Sequence, residues 1–148
     1  MKMGHVVRSL NLPCAGPVQP QEVSSARRTR GRMAHLSGVM AEDSVARLLE
    51  GRGMTVLARR WRGKAGEIDL VASQGACLVF VEVKQSATHE EAALRLGSAQ
   101  QGRIMRAALE YCDKAGWDLL PDMRFDAALV DGQGCVDIIE GAFEESFA

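Results

Sequence analysis

The sequence predicts an α/β domain in which a mixed β-sheet is flanked by helices. Two apolar runs rich in β-branched residues, ending in Ile68-Asp69-Leu70-Val71 and Val79-Phe80-Val81-Glu82-Val83, lie either side of Gln74-Gly75 and read as a hairpin. Ile104, Ala107, Ala108 and Tyr111 recur at i, i+3, i+4 and i+7, which is one face of a helix. The remaining signals complete an order α-β-β-β-α-β-β, which suits such a sheet.

The elements follow in chain order. Residues 1–36 hold all but one of the prolines and little periodicity, and read as a flexible basic tail ahead of a domain over 37–148. The tail is Arg-rich and acid-poor, as organellar transit peptides are, and lacks the apolar core of a secretory signal. A non-conserved extension is the preferred reading, with Met33 an alternative start. Ser37 is placed to cap a first helix whose apolar stripe is Met40, Val45, Leu48 and Leu49, stopped by Gly51 and Gly53. Strands are expected over 54–60, 67–72 and 77–83, with a loop over 85–91. A second helix spans 98–115 and is closed by Gly116. Two last strands, 123–130 and 135–139, are joined by the turn Asp131-Gly132-Gln133-Gly134.

Chemistry concentrates in the hairpin. Asp69, Glu82 and Lys84 interrupt strands that otherwise carry Ile, Leu, Val and Phe, and burying an unpaired carboxylate costs several kcal/mol or forces its protonation. Alternation puts Glu82 and Lys84 on one strand face, and Glu67 two residues before Asp69 on the face of Asp69. Two carboxylates and a backbone carbonyl, that of Val83, are hard oxygen donors suited to Mg²⁺ or Mn²⁺. Lys84 would then orient a nucleophilic water. The competing reading is a cross-strand ion pair with no chemistry.

Composition narrows the alternatives. At 148 residues and 47% hydrophobic, the chain has enough apolar material for one ordinary domain. Cys14, Cys77, Cys112 and Cys135 form no C-x-x-C pair, which argues against a zinc site, and Cys77 and Cys112 read as small core residues in a reducing, cytoplasmic compartment. Three histidines, two of them in the tail, leave little for a histidine-based active site. No apolar run approaches the ~20 residues that span a bilayer, so no membrane partner is expected. The net charge of −1 conceals six basic residues against one acidic residue in 1–36, and hence an acidic remainder. Within that remainder Arg59, Arg60, Arg62 and Lys64 form the best phosphate-facing patch, with a solvated turn as the plain alternative. Trp61 reads as an anchoring core or rim residue rather than a base-stacking one. Arg124 and Asp126 share a strand face and suit a structural ion pair.

These pieces carry a resemblance. Asp69 followed by Glu82-Val83-Lys84 resembles the D…(D/E)-x-K signature of the restriction-endonuclease-like nuclease superfamily. The order Gly38-Val39-Met40-Ala41-Glu42, Arg60-Trp61-Arg62, Gly66-Glu67-Ile68-Asp69-Leu70, Val79-Phe80-Val81-Glu82-Val83-Lys84 and Arg124-Phe125-Asp126 is similar to the YraN family of bacterial proteins. The resemblance covers Ser37 to about Glu140. It implies a Holliday-junction-resolvase-like αβββαβ core and a metal-dependent phosphodiesterase site acting on nucleic acid, with DNA, including branched DNA, as the expected partner. On this analogy Asp69, Glu82 and the Val83 carbonyl hold the metal, Lys84 serves the water, and Glu42 and Glu67 support them. Arg59, Arg60, Arg62, Lys64, Gln100 and Arg103 would meet the nucleic acid. A two-fold dimer would suit a junction substrate. The chain departs from the family pattern at Ala99-Gln100-Gln101, where a Lys-Gln pair is usual, and after Lys84, where Gln85-Ser86 replaces a Thr-Arg-Ser-like segment. A non-catalytic nucleic-acid-binding or assembly module is therefore the second reading.

Overall fold

The first helix begins at Arg27, ten residues before the expected cap at Ser37, and runs unbroken to Gly51 in the computed structural model, which describes residues 8–9, 27–117 and 121–143. Most of the segment read as a tail lies outside the described residues. Helix α1 (Arg27–Gly51) buries Ala41, Val45, Ala46 and Leu49, spaced to face one side. Met40, expected in that stripe, is 61% exposed, and the smaller Ala41 takes the buried position. The helix stops at Gly53, whose φ of 90° sets the left-handed turn. The amide of Gly53 donates to the Glu50 carbonyl and that of Met54 to the Leu49 carbonyl, closing the helix end.

Five longer strands and a two-residue one form the sheet: β1 (Arg8–Ser9), β2 (Thr55–Arg62), β3 (Glu67–Gln74), β4 (Cys77–Gln85), β5 (Asp122–Val130) and β6 (Val136–Ile139). Their order across the sheet is β1-β6-β5-β4-β3-β2. Strands β4 and β5 are parallel and the other neighbours antiparallel, so the sheet is mixed as the sequence predicts. The parallel step requires a crossover, supplied by α2 (His89–Leu94) and α3 (Ser98–Lys114). Helix α2 replaces part of the loop expected over 85–91. Its signal is the box Thr88-x-x-Glu91, in which the Thr88 hydroxyl accepts from the Glu91 amide at 3.1 Å.

The sheet is covered on both faces. On one, α1 packs over Leu70, Ala72, Val79, Val81, Ala128, Val130 and Ile138. On the other, Ile104, Ala107, Ala108 and Cys112 of α3 meet Ile68, Val71, Leu78, Phe80 and Phe125. Aromatic rings extend this second core: Trp61 and Phe80 both meet Tyr111 edge-on, and Phe125 stacks between Phe80 and Phe143. Trp61 thus anchors against the core through Tyr111, as the sequence reading prefers. Short α2 buries Ala92 against Ala127 and Leu129. The β2–β3 turn is tied to α3 by the Glu110 carboxylate, which accepts from the amides of Lys64 and Ala65 at 2.8 and 3.0 Å.

The expected Arg124–Asp126 pair is present and two-pronged, with Nε and Nη2 of Arg124 at 2.9 and 3.0 Å from the carboxylate. Asp126 is 1% exposed and also accepts from the Gly141 amide. Removing the guanidinium leaves that carboxylate buried and uncompensated. Arg124→Met is expected to lower stability by about 3 kcal/mol in urea denaturation, with Arg124→Lys recovering part of it. A loss below about 0.5 kcal/mol, the usual size for an exposed pair, would show that the pair is solvated.

Candidate functional site

Strands β3 and β4 pair from Gln74–Cys77 only as far as Leu70–Val81. Continued in the same register, Asp69 would lie opposite Glu82, but the strands part there. The carboxylate of Asp69 enters the fork and accepts from the Val83 amide at 2.8 Å, replacing a ladder carbonyl. The other neighbour is irregular too. Strand β2 sets Arg59 against Leu70 and Trp61 against Ile68, while Arg60 between them has a φ of 51° and is unpaired with Asp69. A non-glycine residue in the left-handed region carries a strain of order 1–3 kcal/mol and marks a constrained locus.

The fork also breaks the regular alternation that the sequence suggests. Ile68 and Val71, three residues apart, both enter the α3-side core. Glu67 pairs with Arg62 at 3.8 Å and is not among the residues lining the cavity, while its charge acts on both Asp69 and Glu42. Glu82 follows the expected side of β4. It is 6% exposed and accepts from the Gln100 side chain on α3 at 2.8 Å. The Lys84 amine stands 3.2 Å from the same Glu82 oxygen.

These groups open on one cavity of about 660 Å³, lined by Glu42 of α1, Asp69, Glu82, Val83, Lys84 and, beyond β4, Arg95. The structure therefore brings Glu42, Asp69, Glu82, Val83 and Lys84 together and adds Gln100 through its bond to Glu82. Arg95 is missing from the sequence-based set because the helix that ends at it was read as loop. The capping box at Thr88 is the signal that could have found it.

The cluster of acids controls its own protonation. Burial, and next the charge of Asp69, push the Glu82 carboxyl up to about 8, against the pull of Lys84. Burial likewise raises Asp69, opposed by the Val83 amide and by a hydrogen bond with Glu82. Burial and the neighbouring Asp69 charge thus both favour the protonated form of Glu82. Glu42 is raised by burial and by Asp69, with Arg60 acting in the opposite sense. A cation beside these two carboxylates would favour their ionised forms. The donor set fits Mg²⁺ or Mn²⁺: two carboxylates and the Val83 carbonyl would hold it, leaving room for waters. No group of three or more His, Cys, Asp or Glu side chains that could hold a metal ion occurs among the described residues.

The basic cluster is largely committed. Arg59 lies 2.6 Å from Asp43, Arg60 2.9 Å from Glu42 and Arg62 3.8 Å from Glu67. All three belong to strand β2 rather than to a turn. Lys64 follows in the turn with its side chain exposed. The stem of Arg103 lies over Gly66, where an added Cβ would come within 3.1 Å of it.

The raised Glu82 value carries a sign. Without a divalent cation the folded protein keeps a proton that the unfolded chain releases, so this stability is fully present below about pH 4.5 and disappears as pH rises through about 8. The expected slope is at most about 1.4 kcal/mol per pH unit for one proton. Melting temperatures in chelator should therefore fall from pH 5 to 8.5, and Glu82→Gln should flatten that fall. Saturating Mg²⁺ should act with the opposite sign, stabilising more at higher pH. Equal slopes for wild type and Glu82→Gln in chelator would remove the proton from Glu82.

No helix among the described residues is long and apolar enough to cross a membrane. The profile described as "Uncharacterised protein family UPF0102" matches residues 41–130, from the start of the buried face of α1 to the end of β5. A UPF0102 protein of Cereibacter sphaeroides is 50% identical over 113 residues, covering 76% of this chain and 97% of that protein. One of Roseobacter denitrificans is 48% identical over 122 residues, 82% of this chain and 95% of its own length. A third, of Ruegeria pomeroyi, is 49% identical over 118 residues, 80% and 96% of the two chains. With the mixed sheet, the flanking helices and the D…E-x-K hairpin all in place, the chain belongs to the YraN-like UPF0102 family.

Proposed function

We propose that this protein is a metal-dependent nuclease that hydrolyses phosphodiester bonds in DNA, branched structures included. One observation carries the reading: a buried carboxylate, Glu82, and a half-buried one, Asp69, meet at a break in a sheet and open with Lys84 onto a cavity. An ion pair needed only for stability has no use for a second carboxylate against the first, since like charges raise the cost of burial. Asp69, Glu82 and the Val83 carbonyl would hold Mg²⁺ or Mn²⁺. Bound there, the cation supplies positive charge against the phosphate.

The chain's own groups do the rest. Val83 fixes the Asp69 carboxylate through its amide, and Gln100 fixes Glu82, so neither needs to reorganise. The Lys84 ammonium would orient an attacking water, whose oxygen bonds to phosphorus as the bond to the leaving deoxyribose oxygen breaks. The water's proton passes to the Glu42 carboxylate, and the leaving oxygen takes one from solvent. Glu42 stands on the α1 side as a further acceptor, held by Arg60. Glu67 contributes its charge from outside the cavity.

A second reading rests on a specific observation. Arg59, Arg60 and Arg62 are paired with acids, which reduces the free positive charge on that edge. That favours a nucleic-acid-binding or assembly module that retains the acids as structure.

Calorimetric titration with Mn²⁺ and cleavage of duplex, flap and four-way-junction DNA separate the two. Wild type should bind the ion saturably and cut at least one substrate. Asp69→Ala should lose both. Lys84→Ala should retain the ion and lose at least about 100-fold in cleavage rate, the scale of a positioned proton or water contact. Cleavage by folded Lys84→Ala at the wild-type rate removes Lys84 from the chemistry. Absence of both ion binding and cleavage in wild type selects the module.

A further inference from the structure

We propose that Arg95 is the phosphate-anchoring residue of this site, the group that holds the DNA backbone against the acidic cavity. This rests on the nuclease reading and assigns its substrate contact to an element outside the D…E-x-K hairpin. The need for such a group follows from charge. Glu42, Asp69 and Glu82 line the cavity, and a polyanion approaching acids gains from a basic group on the protein beside any cation they hold.

The cations nearest in sequence are engaged. Arg59, Arg60 and Arg62 face Asp43, Glu42 and Glu67, and Lys84 faces Glu82. Arg95 also lines the cavity, and no carboxylate lies within ion-pair distance of it among the described residues. Its position is built rather than loose. It is the residue that ends α2, its amide donates to the carbonyls of Ala92 and Ala93, and its Nη1 donates to the Gln85 carbonyl at 2.8 Å. Gln85 directly follows Lys84, so the guanidinium is tethered to the end of the strand that carries Glu82 and Lys84. A guanidinium has five donors and that tether uses one, which leaves a planar fork of the kind that grips phosphate two-pronged. The side chain is exposed, so a strand of DNA can reach it without rearrangement of the core.

The test measures binding apart from cleavage. Anisotropy of a fluorescein-labelled four-way junction and a 20-base-pair duplex is recorded across a NaCl series, with Ca²⁺ in place of Mg²⁺, for wild type, Arg95→Ala and Arg95→Lys. Arg95→Ala should weaken binding about tenfold and reduce the salt slope by about 0.9, one phosphate contact's worth. Arg95→Lys should restore the slope but not the full affinity, because it keeps the charge and loses the fork. Mn²⁺ affinity and melting temperature should match wild type in both variants. A folded Arg95→Ala protein that keeps the wild-type slope overturns the assignment. So does a wild type that binds neither DNA, which overturns the nuclease reading with it. Tight, Arg95-dependent binding by a wild type that cuts nothing in Mg²⁺ or Mn²⁺ sustains the anchor and defeats the nuclease reading alone.

Discussion

The hydrogen bond from the Val83 amide to the Asp69 carboxylate, 2.8 Å long, is the constraint around which the site is arranged. A continuous β3–β4 ladder would place a backbone carbonyl there and turn the Asp69 side chain away. With the strands parted, the carboxylate takes the carbonyl's role, so the buried amide keeps a partner and the acid is held within reach of Glu82. The same parting creates the space that becomes the cavity. Structure and chemistry thus share one local feature, and the strained backbone at Arg60 on the facing strand belongs to it.

The rest of the fold keeps this fork open without letting it unravel. Leu70, Ala72, Val79 and Val81 are fully buried beneath α1 immediately behind it. Ile68, Val71 and Phe80 are clamped by α3 on the opposite face. Between these layers the acids sit at the edge of dry surroundings, which is why burial is the largest influence on Glu42, Asp69 and Glu82 alike. Each helix also sends a polar group to them: α1 supplies Glu42 and α3 supplies Gln100. The helices that stabilise the sheet therefore also furnish polar groups to the site.

Much of this was legible in the chain. Strand and helix periodicities located β2 to β6 and α3 to within a few residues, because burial on a sheet or helix face forces a period that composition reveals. Asp69, Glu82 and Lys84 stood out because acids and a lysine within apolar strands demand compensation, and Glu42 followed from resemblance, whereas Gln100, expected to meet nucleic acid, bonds Glu82. Helix α2 was missed because its six residues bury only Ala92, too little to leave a periodic trace. The start of α1 was missed because Arg27 to Leu36 shows no apolar stripe, and Met40 misled because a large apolar residue was preferred to the Ala41 beside it.

What the sequence by itself determined was the mixed α/β class, the family and the chemical character of the site, since residue type and order carry those directly. Which charges remain available was decided only by the tertiary structure. Arg59 lies 16 residues from Asp43 and Arg60 18 residues from Glu42, so their neutralisation is invisible until α1 lies over β2. Glu67 meets Arg62 at 3.8 Å, a cross-strand pairing set by the register of β2 on β3. Arg95 reaches the cavity only because the α2 turn folds back on the end of β4. Coulomb energies depend on distance through space and on burial, neither of which is a property of position along the chain.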